Sequence, residues 1–289
     1  MRLGAVFPQS EIGADSDAIR RFAEAVETFG YDHLLIFDHV LGIDRPEYQA
    51  ATGTGTFGVP IHEPFVLFGY LAAVTRQIEL VTGVLVLPQR QTALVAKQAA
   101  EVDVLSRGRL RLGVGVGWVP DEFVALNAEY HDRGARSEEQ IAVLRALWTE
   151  PTVTFEGRWH RIAAAGINPS PVRRPIPIWI GGMAEATLER IGRIGDGWIP
   201  LPIAPDAEAR AMIDRLRGYT RAAGRVPEAV GVQAFMTFAT TPPGEAATHA
   251  AAWEQLGATH LAVSTIAAGF TTAEEHIDAL RRTMSALRR

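Results

Sequence analysis

Residues 78–118 read IELVTGVLVLPQRQTALVAKQAAEVDVLSRGRLRLGVGVGW, and the fold class follows from this stretch. Its start, 78–87, is almost entirely Val, Leu and Ile without alternation, which is typical of a parallel strand buried on both faces. A helical pattern over about 92–105 and a second apolar strand at 109–115 complete a strand–helix–strand unit. Glycines interrupt or end the two strands: Gly83, Gly113, Gly115 and Gly117.

Glycine inside an apolar strand costs conformational entropy and usually marks a bulge or a close approach by another group. The two neighbouring parallel strands would both expose bare backbone at their carboxyl ends. That edge is where open α/β sheets and α/β barrels bind their ligands. We therefore expect a ligand to contact the backbone of this unit.

The remaining chain repeats the alternation of strands and helices. Eight strand candidates are present, at 3–8, 33–37, 78–87, 109–115, 177–180, 196–200, 230–240 and 260–265. This alternation predicts a parallel sheet with right-handed crossovers, and eight units favour closure into a TIM-like (β/α)8 barrel. Because no linker, repeat or low-complexity segment interrupts the chain, residues 1–289 are interpreted as a single α/β barrel domain with loop insertions.

Two insertions stand out between the strands. The 40–62 segment is rich in glycine and proline, and a connection of that length is usually a functional lid or a mobile segment. The 152–162 segment predicts a hairpin.

Residues 137–140, SEEQ, fit a capping box and predict that a helix begins there. Asp121 and Glu122 are expected in a loop after the second glycine-rich strand.

Composition and charge exclude several classes of protein. With 47% apolar residues, 21% charged residues and a net charge of −5, the chain has the composition of an ordinary globular protein, and it has no basic run that would bind nucleic acid. It has no cysteine, which excludes disulfides, thiolate catalysis and cysteine-ligated metals. The histidines other than His39 show no ligand spacing, so no metal site is expected. The N-terminal residues match neither a signal peptide nor a membrane span, and a cytoplasmic location is the expectation.

The carboxyl ends of the predicted strands carry an unusual set of residues. They include one acid–histidine pair, Asp38-His39, with glycine-rich backbone and several aromatic residues, but almost no charge. Such a set suits a planar ring system better than a small charged metabolite. Gly181 and Gly182 directly precede a predicted helix, whose free N–H groups and dipole would favour a phosphate. An NAD site is not expected at 113–117, because the residues that follow do not begin a Rossmann helix.

Several motifs taken together resemble a known family. They are Asp38-His39-Val40, 82–88 (TGVLVLP), 105–109 (LSRGR), 113–118 (GVGVGW), Arg133 with Arg136, 177–182 (PIWIGG) and 195–198 (GDGW). In this order they resemble the bacterial luciferase-like monooxygenase superfamily, and more narrowly its branch that uses the deazaflavin coenzyme F420. The resemblance is collinear from Leu3 to about Pro200 and weakens beyond it.

The resemblance implies a TIM-like barrel that holds a flavin or a deazaflavin in its mouth. At the place of Gly83 and Val84 the family has a non-proline cis peptide whose bulge backs the ring, so we expect a cis bond here. Further residues match the family's cofactor site: Gly115, Val116 and Gly117 along the ring, and Gly181, Gly182 and Met183 at the phosphate.

The resemblance also implies which residues lie beside the reactive part of the cofactor. Asp38 and His39 match residues beside the reactive edge of the ring. His39 is the best candidate for the acid or base, since imidazole side chains titrate near neutrality. Glu122 is a second catalytic candidate, either a proton donor or a solvated loop acid. The implied reaction is hydride transfer between bound coenzyme F420 and a small organic substrate.

Two alternatives for the function stay open. One is an FMN-dependent monooxygenase of the same superfamily, which would activate oxygen on the same barrel. The other is a non-catalytic protein that binds a flavin or a deazaflavin. The resemblance also implies a homodimer, and no membrane or nucleic-acid partner is expected.

Overall fold

The computed structural model describes residues 1–46, 48 and 58–288. Its strands are β1 (Arg2–Val6), β2 (His33–Ile36), β3 (Glu79–Thr82), β4 (Leu85–Val86), β5 (Leu110–Gly115), β6 (Val153–Glu156), β7 (Arg161–Ala165), β8 (Ile178–Gly181), β9 (Gly197–Ile199), β10 (Gly231–Thr237) and β11 (His260–Ser264). The described helices are α1 (Gln9–Ile12), α2 (Ser16–Thr28), α3 (Pro64–Val74), α4 (Thr92–Leu105), α5 (Pro120–Ala125), α6 (Arg133–Thr149), α7 (Glu185–Ile194), α8 (Ala207–Ala222), α9 (Ala246–Leu256) and α10 (Ala273–Leu287).

The strands close into a barrel. Neighbouring strands pair in the order β3-β2-β1-β11-β10-β9-β8-β5-β4, and β3 also pairs with β5, which completes the ring. Every pairing around the ring is parallel. β3 and β4 are two halves of one predicted strand, and β5 pairs with both. The prediction of a TIM-like (β/α)8 barrel is therefore confirmed.

The break between β3 and β4 is a non-proline cis peptide bond. It joins Gly83 to Val84, as the resemblance to the luciferase-like family implies. Just before it, the hydroxyl of Thr82 donates a buried hydrogen bond to the carbonyl of Gly113 at 2.7 Å. The neighbouring strand β5 therefore holds the chain in place at the point where it bulges.

Several helix ends carry residues that favour a cap or a first turn. The carboxylate of Asp15 accepts the N–H of Asp17 at 3.0 Å and caps α2, and Gly30, with φ of +83°, follows the end of that helix. Pro64 lies in the first turn of α3, where its missing N–H costs no hydrogen bond. The predicted hairpin at 152–162 is present as the antiparallel pair β6–β7.

The prediction that a helix begins at 137–140 is wrong. Helix α6 begins one turn earlier, at Arg133, and Ser137 lies inside it with its hydroxyl donating to the carbonyl of Gly134 at 2.8 Å. The carboxylate of Glu139 accepts backbone N–H groups of the β6–β7 hairpin. The side chain of Ser137 therefore bonds within the helix, and the amide of Gln140, the other residue of the capping pattern, donates to the carbonyls of Leu87 and Arg90.

The acidic residues after β5 lie in a short helix and not in the predicted loop. Helix α5 begins at Pro120, a residue that is well tolerated at a first helical position. Asp121 and Glu122 follow it in the first turn. The helical backbone therefore fixes the positions from which their side chains make contacts.

Two apolar layers surround the strands. Side chains that point into the barrel form one small cluster: Val6, Leu35, Val81, Trp179, Ile199, Phe235 and Ala262. A larger cluster fills the space between the outside of the barrel and the helices. Because alternate strand residues enter one cluster or the other, the strands read as continuous apolar runs in the sequence.

The segment after β2 is only partly described. Of the predicted lid at 40–62, residues 47 and 49–57 lie outside the described residues. Among the helices that are described, none is both long enough and apolar enough to cross a bilayer.

Candidate active site

Three apolar side chains form a platform at the carboxyl end of the barrel. Phe37, Val84 and Ile266 are partly buried and pack against the cluster inside the barrel. Phe37 and Ile266 follow the ends of β2 and β11, and Val84 belongs to the bulge between β3 and β4. An apolar surface of this kind, at the ligand-binding end of the fold, suits the face of a planar ring.

The glycines predicted to face a ligand also make room for this platform. A methyl group on Gly115 would overlap Cγ2 of Val84, and one on Gly181 would lie 2.7 Å from its Cγ1. On Gly83 it would overlap the side chain of Leu35. These glycines therefore admit protein side chains, a role that the sequence pattern does not reveal, since it cannot tell an approaching ligand from an approaching residue.

His39 and Glu122 lie side by side at the mouth, although 83 residues separate them in the chain. His39 follows β2, and its Nδ1 lies 3.2 Å from Oε2 of Glu122, whose side chain is only 1% exposed. Oε1 of Glu122 accepts the N–H of Val40 at 2.6 Å and that of Leu41 at 3.1 Å. The carboxylate thus holds both the imidazole of His39 and the backbone that follows it.

The surroundings of Glu122 favour its charged form. Burial by itself raises the pKa of this carboxyl. Hydrogen bonds from His39, from the N–H of Leu41 and from Gln89 together lower it by more, so that the pKa lies below its ordinary value. Nε2 of Gln89 donates to Oε2 at 3.1 Å. Glu122 is therefore a carboxylate near neutral pH, and each of its oxygens accepts at least two hydrogen bonds.

Asp38 points into the protein. Its Oδ2 accepts the N–H of Val86 at 2.9 Å, just after the cis bulge, and its Oδ1 pairs with Nη2 of Arg90 at 2.8 Å. Arg90 also binds Glu63 at 2.9 Å. Burial raises the pKa of Asp38, against the opposing effect of Arg90 and of the Val86 N–H. Both oxygens are engaged with the protein, so Asp38 fixes the backbone behind the platform.

Sequence reasoning missed two residues of this cluster, Gln89 and Arg90. They directly follow the strand at 78–87, and polar residues at the carboxyl end of a barrel strand were the available signal. Gln89 donates to Glu122, and Arg90 neutralises Asp38. Both side chains support residues that the sequence did identify.

Aromatic residues form one side of the mouth. The Trp118 ring is 43% exposed and lies edge-on to the His39 ring, with 6.3 Å between centroids. The Tyr48 ring lies 5.7 Å from that of Trp118. Val116 and Gly117, predicted to lie along the cofactor ring, are partly exposed next to Trp118 at the end of β5. This places them on the same side of the mouth as His39.

The predicted phosphate loop lies between β8 and α7, and β8 pairs with β5. Gly182 has φ of +129°, which favours glycine, and its carbonyl accepts Nε1 of Trp198 at 2.8 Å. Met183 is partly buried against the core. Among the described residues, no side chain caps α7 at its first residue, so its N–H groups can bind an anion.

No metal site accompanies these residues. Within the ranges 1–46 and 58–288, together with residue 48, no group of three or more His, Asp or Glu side chains is arranged to hold a metal ion.

The family of the chain follows from a comparison with family models. The model described as luciferase-like monooxygenase matches residues 2–287. The chain belongs to the luciferase-like monooxygenase family. An uncharacterized protein of Mycobacterium tuberculosis is 34% identical over 224 residues, which are 76% of this chain and 77% of that protein.

Two further relatives differ in the cofactor that they use. The FMNH(2)-dependent dimethylsulfone monooxygenase of Pseudomonas putida is 28% identical over 226 residues, covering 77% of this chain and 58% of that enzyme. The solved structure of an F420-dependent secondary alcohol dehydrogenase in complex with an F420-acetone adduct superposes with a TM-score of 0.79 at 17% identity, covering 100% of this chain and 99% of that one. At that identity the structural likeness shows the fold alone.

Proposed function

We propose that this protein is a coenzyme F420-dependent oxidoreductase that transfers a hydride between the deazaflavin and a small organic substrate. The observation that carries the proposal is the His39–Glu122 pair at the edge of the apolar platform. Moving a hydride to or from a carbon that bears oxygen also moves a proton, and this pair can exchange one. A protein that only bound the cofactor would have no need of such a pair.

The residues at the mouth fit a flavin or a deazaflavin. Val84, Phe37 and Ile266 offer an apolar surface for one face of a ring, and the uncapped N-terminus of α7 offers N–H groups for a phosphate. When bound, such a cofactor supplies the hydride chemistry, while the protein binds and orients it. We assign the phosphate to Gly181, Gly182 and Met183.

His39 is the residue that moves the proton in this proposal. Its side chain is 21% exposed, so a substrate at the mouth can reach it, and Glu122 holds its inner nitrogen. The Trp118 ring lies edge-on beside the imidazole. Because Glu122 is buried and charged, we propose that it supports His39 and does not itself donate a proton.

The alternative in the same family is an FMN-dependent monooxygenase. The observation in its favour is the FMNH(2)-dependent relative, which is more similar in sequence than the F420-dependent structure. Both readings use the same platform and the same anion site. They differ in whether the reduced protein reacts with oxygen.

Reconstitution separates these possibilities. The protein is incubated with coenzyme F420 or with FMN, and the absorbance of the bound chromophore and the oxygen consumption of the reduced form are recorded. We expect binding of F420, no oxygen consumption and reduction of F420 by some member of a panel of small alcohols and aldehydes. Binding of FMN with oxygen consumption would establish the monooxygenase, F420 binding without any turnover would favour a non-catalytic binder, and binding of neither would refute all three.

We also propose that the protein is a homodimer. Helix α3 has no charged residue, and its outer face exposes Val66 (73%) and Tyr70 (37%). A helix that is apolar on all sides is usually buried, and a second copy of the chain would cover the exposed face of α3. Light scattering after gel filtration should give twice the chain mass for the wild type and a smaller mass for Val66→Glu. A monomeric wild type would contradict this proposal.

A further inference from the structure

Helix α5 binds the segment after β2 through two adjacent carboxylates. Glu122 contacts His39 and the N–H groups of Val40 and Leu41. Asp121 makes separate contacts further along, pairing with Arg45 at 2.9 Å and accepting the hydroxyl of Tyr48 at 2.7 Å. The two acids hold the same segment at different points. One can therefore be changed without removing the contacts of the other.

The contacts of Glu122 determine where the proton on His39 lies. A carboxylate can only accept hydrogen bonds, so Nδ1 of His39 must carry a proton to bond to Oε2 at 3.2 Å. Val40 N–H, Leu41 N–H and Gln89 Nε2 donate to the same carboxylate, and these hydrogen bonds favour its charged form. A neutral imidazole with its proton on Nδ1 leaves a lone pair on Nε2.

The second nitrogen of His39 is available to a substrate. Nε2 makes no hydrogen bond to any of the described residues, and the side chain is partly exposed at the mouth. Asp38 and Glu63 both pair with Arg90, at 2.8 Å and 2.9 Å. Glu122 is the carboxylate that contacts the imidazole, at 3.2 Å.

We propose that Glu122 is a positioning residue that fixes His39 in the tautomer with its proton on Nδ1, so that Nε2 acts as the proton acceptor. The role of His39 in turnover rests on the function proposed above. In the oxidation direction, the substrate O–H bond breaks and its proton forms an N–H bond at Nε2. A bound deazaflavin would supply the hydride acceptor, so that the substrate C–H bond breaks and a C=O bond forms. The substrate is oxidised, the deazaflavin is reduced, and the carboxylate of Glu122 stabilises the resulting imidazolium.

The first test uses the ligand-free protein. Long-range ¹H–¹⁵N NMR of histidine-labelled protein distinguishes the two tautomers, and the signal missing in His39→Gln identifies His39. We expect the Nδ1–H form in the wild type and in Asp121→Asn, and a mixture or the Nε2–H form in Glu122→Gln. An Nε2–H form in the wild type, or the same tautomer in Glu122→Gln as in the wild type, would overturn the proposal. If Glu122→Gln does not fold, the proposal is tested by the tautomer of the wild type and by that of Glu122→Asp, in which the shorter side chain moves the carboxylate away from His39.

A second test uses the reconstituted enzyme and separates this proposal from the proposed function. Glu122→Gln should lower kcat by about 10²- to 10⁴-fold with little change in KM, as a wrong tautomer does elsewhere. If His39→Ala leaves turnover unchanged while the tautomer still depends on Glu122, the proposed role of His39 fails and the positioning stands. If His39→Ala abolishes turnover but Glu122→Gln changes neither tautomer nor kcat, the positioning fails alone.

Discussion

The two ends of the barrel each hold histidine side chains next to charged groups, but the charges have opposite signs. At the carboxyl end, His39 faces the carboxylate of Glu122 at 3.2 Å. At the amino end, His33 and His260 lie with their ring centroids 5.5 Å apart beside the buried guanidinium of Arg111. A carboxylate stabilises the charge that an imidazole gains with a proton, whereas a guanidinium opposes it.

The amino end is a buried ion-pair network. Arg111 is only 2% exposed, pairs with Glu79 at 2.9 Å and lies 4.3 Å from the ring centroid of Trp179. Burial lowers the pKa of Arg111 to about 10, with Glu79 acting in the opposite direction. Arg2 and Arg173 also approach Glu79, at 3.8 Å and 3.3 Å.

The histidines of this network are neutral. Burial, followed by the charge of Arg111, holds the pKa of His33 well below its ordinary value and lowers that of His260 to about 3. They therefore act as packing groups at neutral pH, whereas we propose an acid–base role for His39, which contacts a carboxylate. Residue type alone does not separate the two roles, and the sign of the neighbouring charge does.

The largest effect should come from removing the histidine at the mouth. His39→Ala should lower turnover by about 10²- to 10⁴-fold, the usual contribution of an acid–base group, while cofactor binding stays within a few-fold of the wild type. Steady-state rates and a fluorescence titration with the cofactor measure the two quantities. His260→Gln is the matched control and should keep the turnover of the folded protein. Equal losses in both variants would erase the distinction between the two ends.

The second prediction concerns the contribution of the amino end to stability. Glu79→Gln leaves Arg111 buried without a countercharge, and we expect the free energy of unfolding to fall by about 3–5 kcal/mol in urea titrations. Glu156→Ala, which removes an exposed pair with Arg161, should cost less than about 1 kcal/mol. If the two variants lost similar free energies of unfolding, burial would not make the Glu79–Arg111 pair more important for stability than the exposed pair.

The third prediction concerns the platform. In the ligand-free protein, Gly181→Ala should lower the free energy of unfolding by about 1–3 kcal/mol, because its methyl group would lie 2.7 Å from Val84. Combining it with Val84→Ala should relieve the overlap, so that the double variant loses less than the sum of the two single variants. Strict additivity would show that Gly181 does not make room for Val84.

The smallest expected effect is the change in the free energy of unfolding per pH unit that the histidines at the amino end cause. Unfolded histidine binds a proton below about pH 6.5, but folded His260 does so only near pH 3. The unfolded state therefore binds more protons between these values, and the free energy of unfolding should fall by up to about 1.4 kcal/mol per pH unit for each such histidine as the pH decreases. Urea titrations of His260→Gln should give a shallower dependence than the wild type, and an unchanged slope would contradict the assignment.

Local patterns determined much of this protein. The apolar runs located the eight barrel strands, and the resemblance located the cis bond at Gly83. Asp15 and Pro64 lie at helix starts, which such residues favour. These features depend on residues close together in the chain, through side-chain alternation, capping and backbone preference. The sequence also singled out His39, because its place after a strand puts it at the ligand-binding end of any such barrel.

Only the tertiary structure decided which side chains meet. It joined His39 to Glu122, turned Asp38 towards Val86 and Arg90, and filled the space beside Gly181 with Val84. It also placed the amide of Gln140 against the carbonyls of Leu87 and Arg90 and not at a helix start. The physical reason is that these contacts form between strands and helices that become neighbours only when the barrel closes. A sequence pattern names the groups that can bond, and the closed barrel selects their partners.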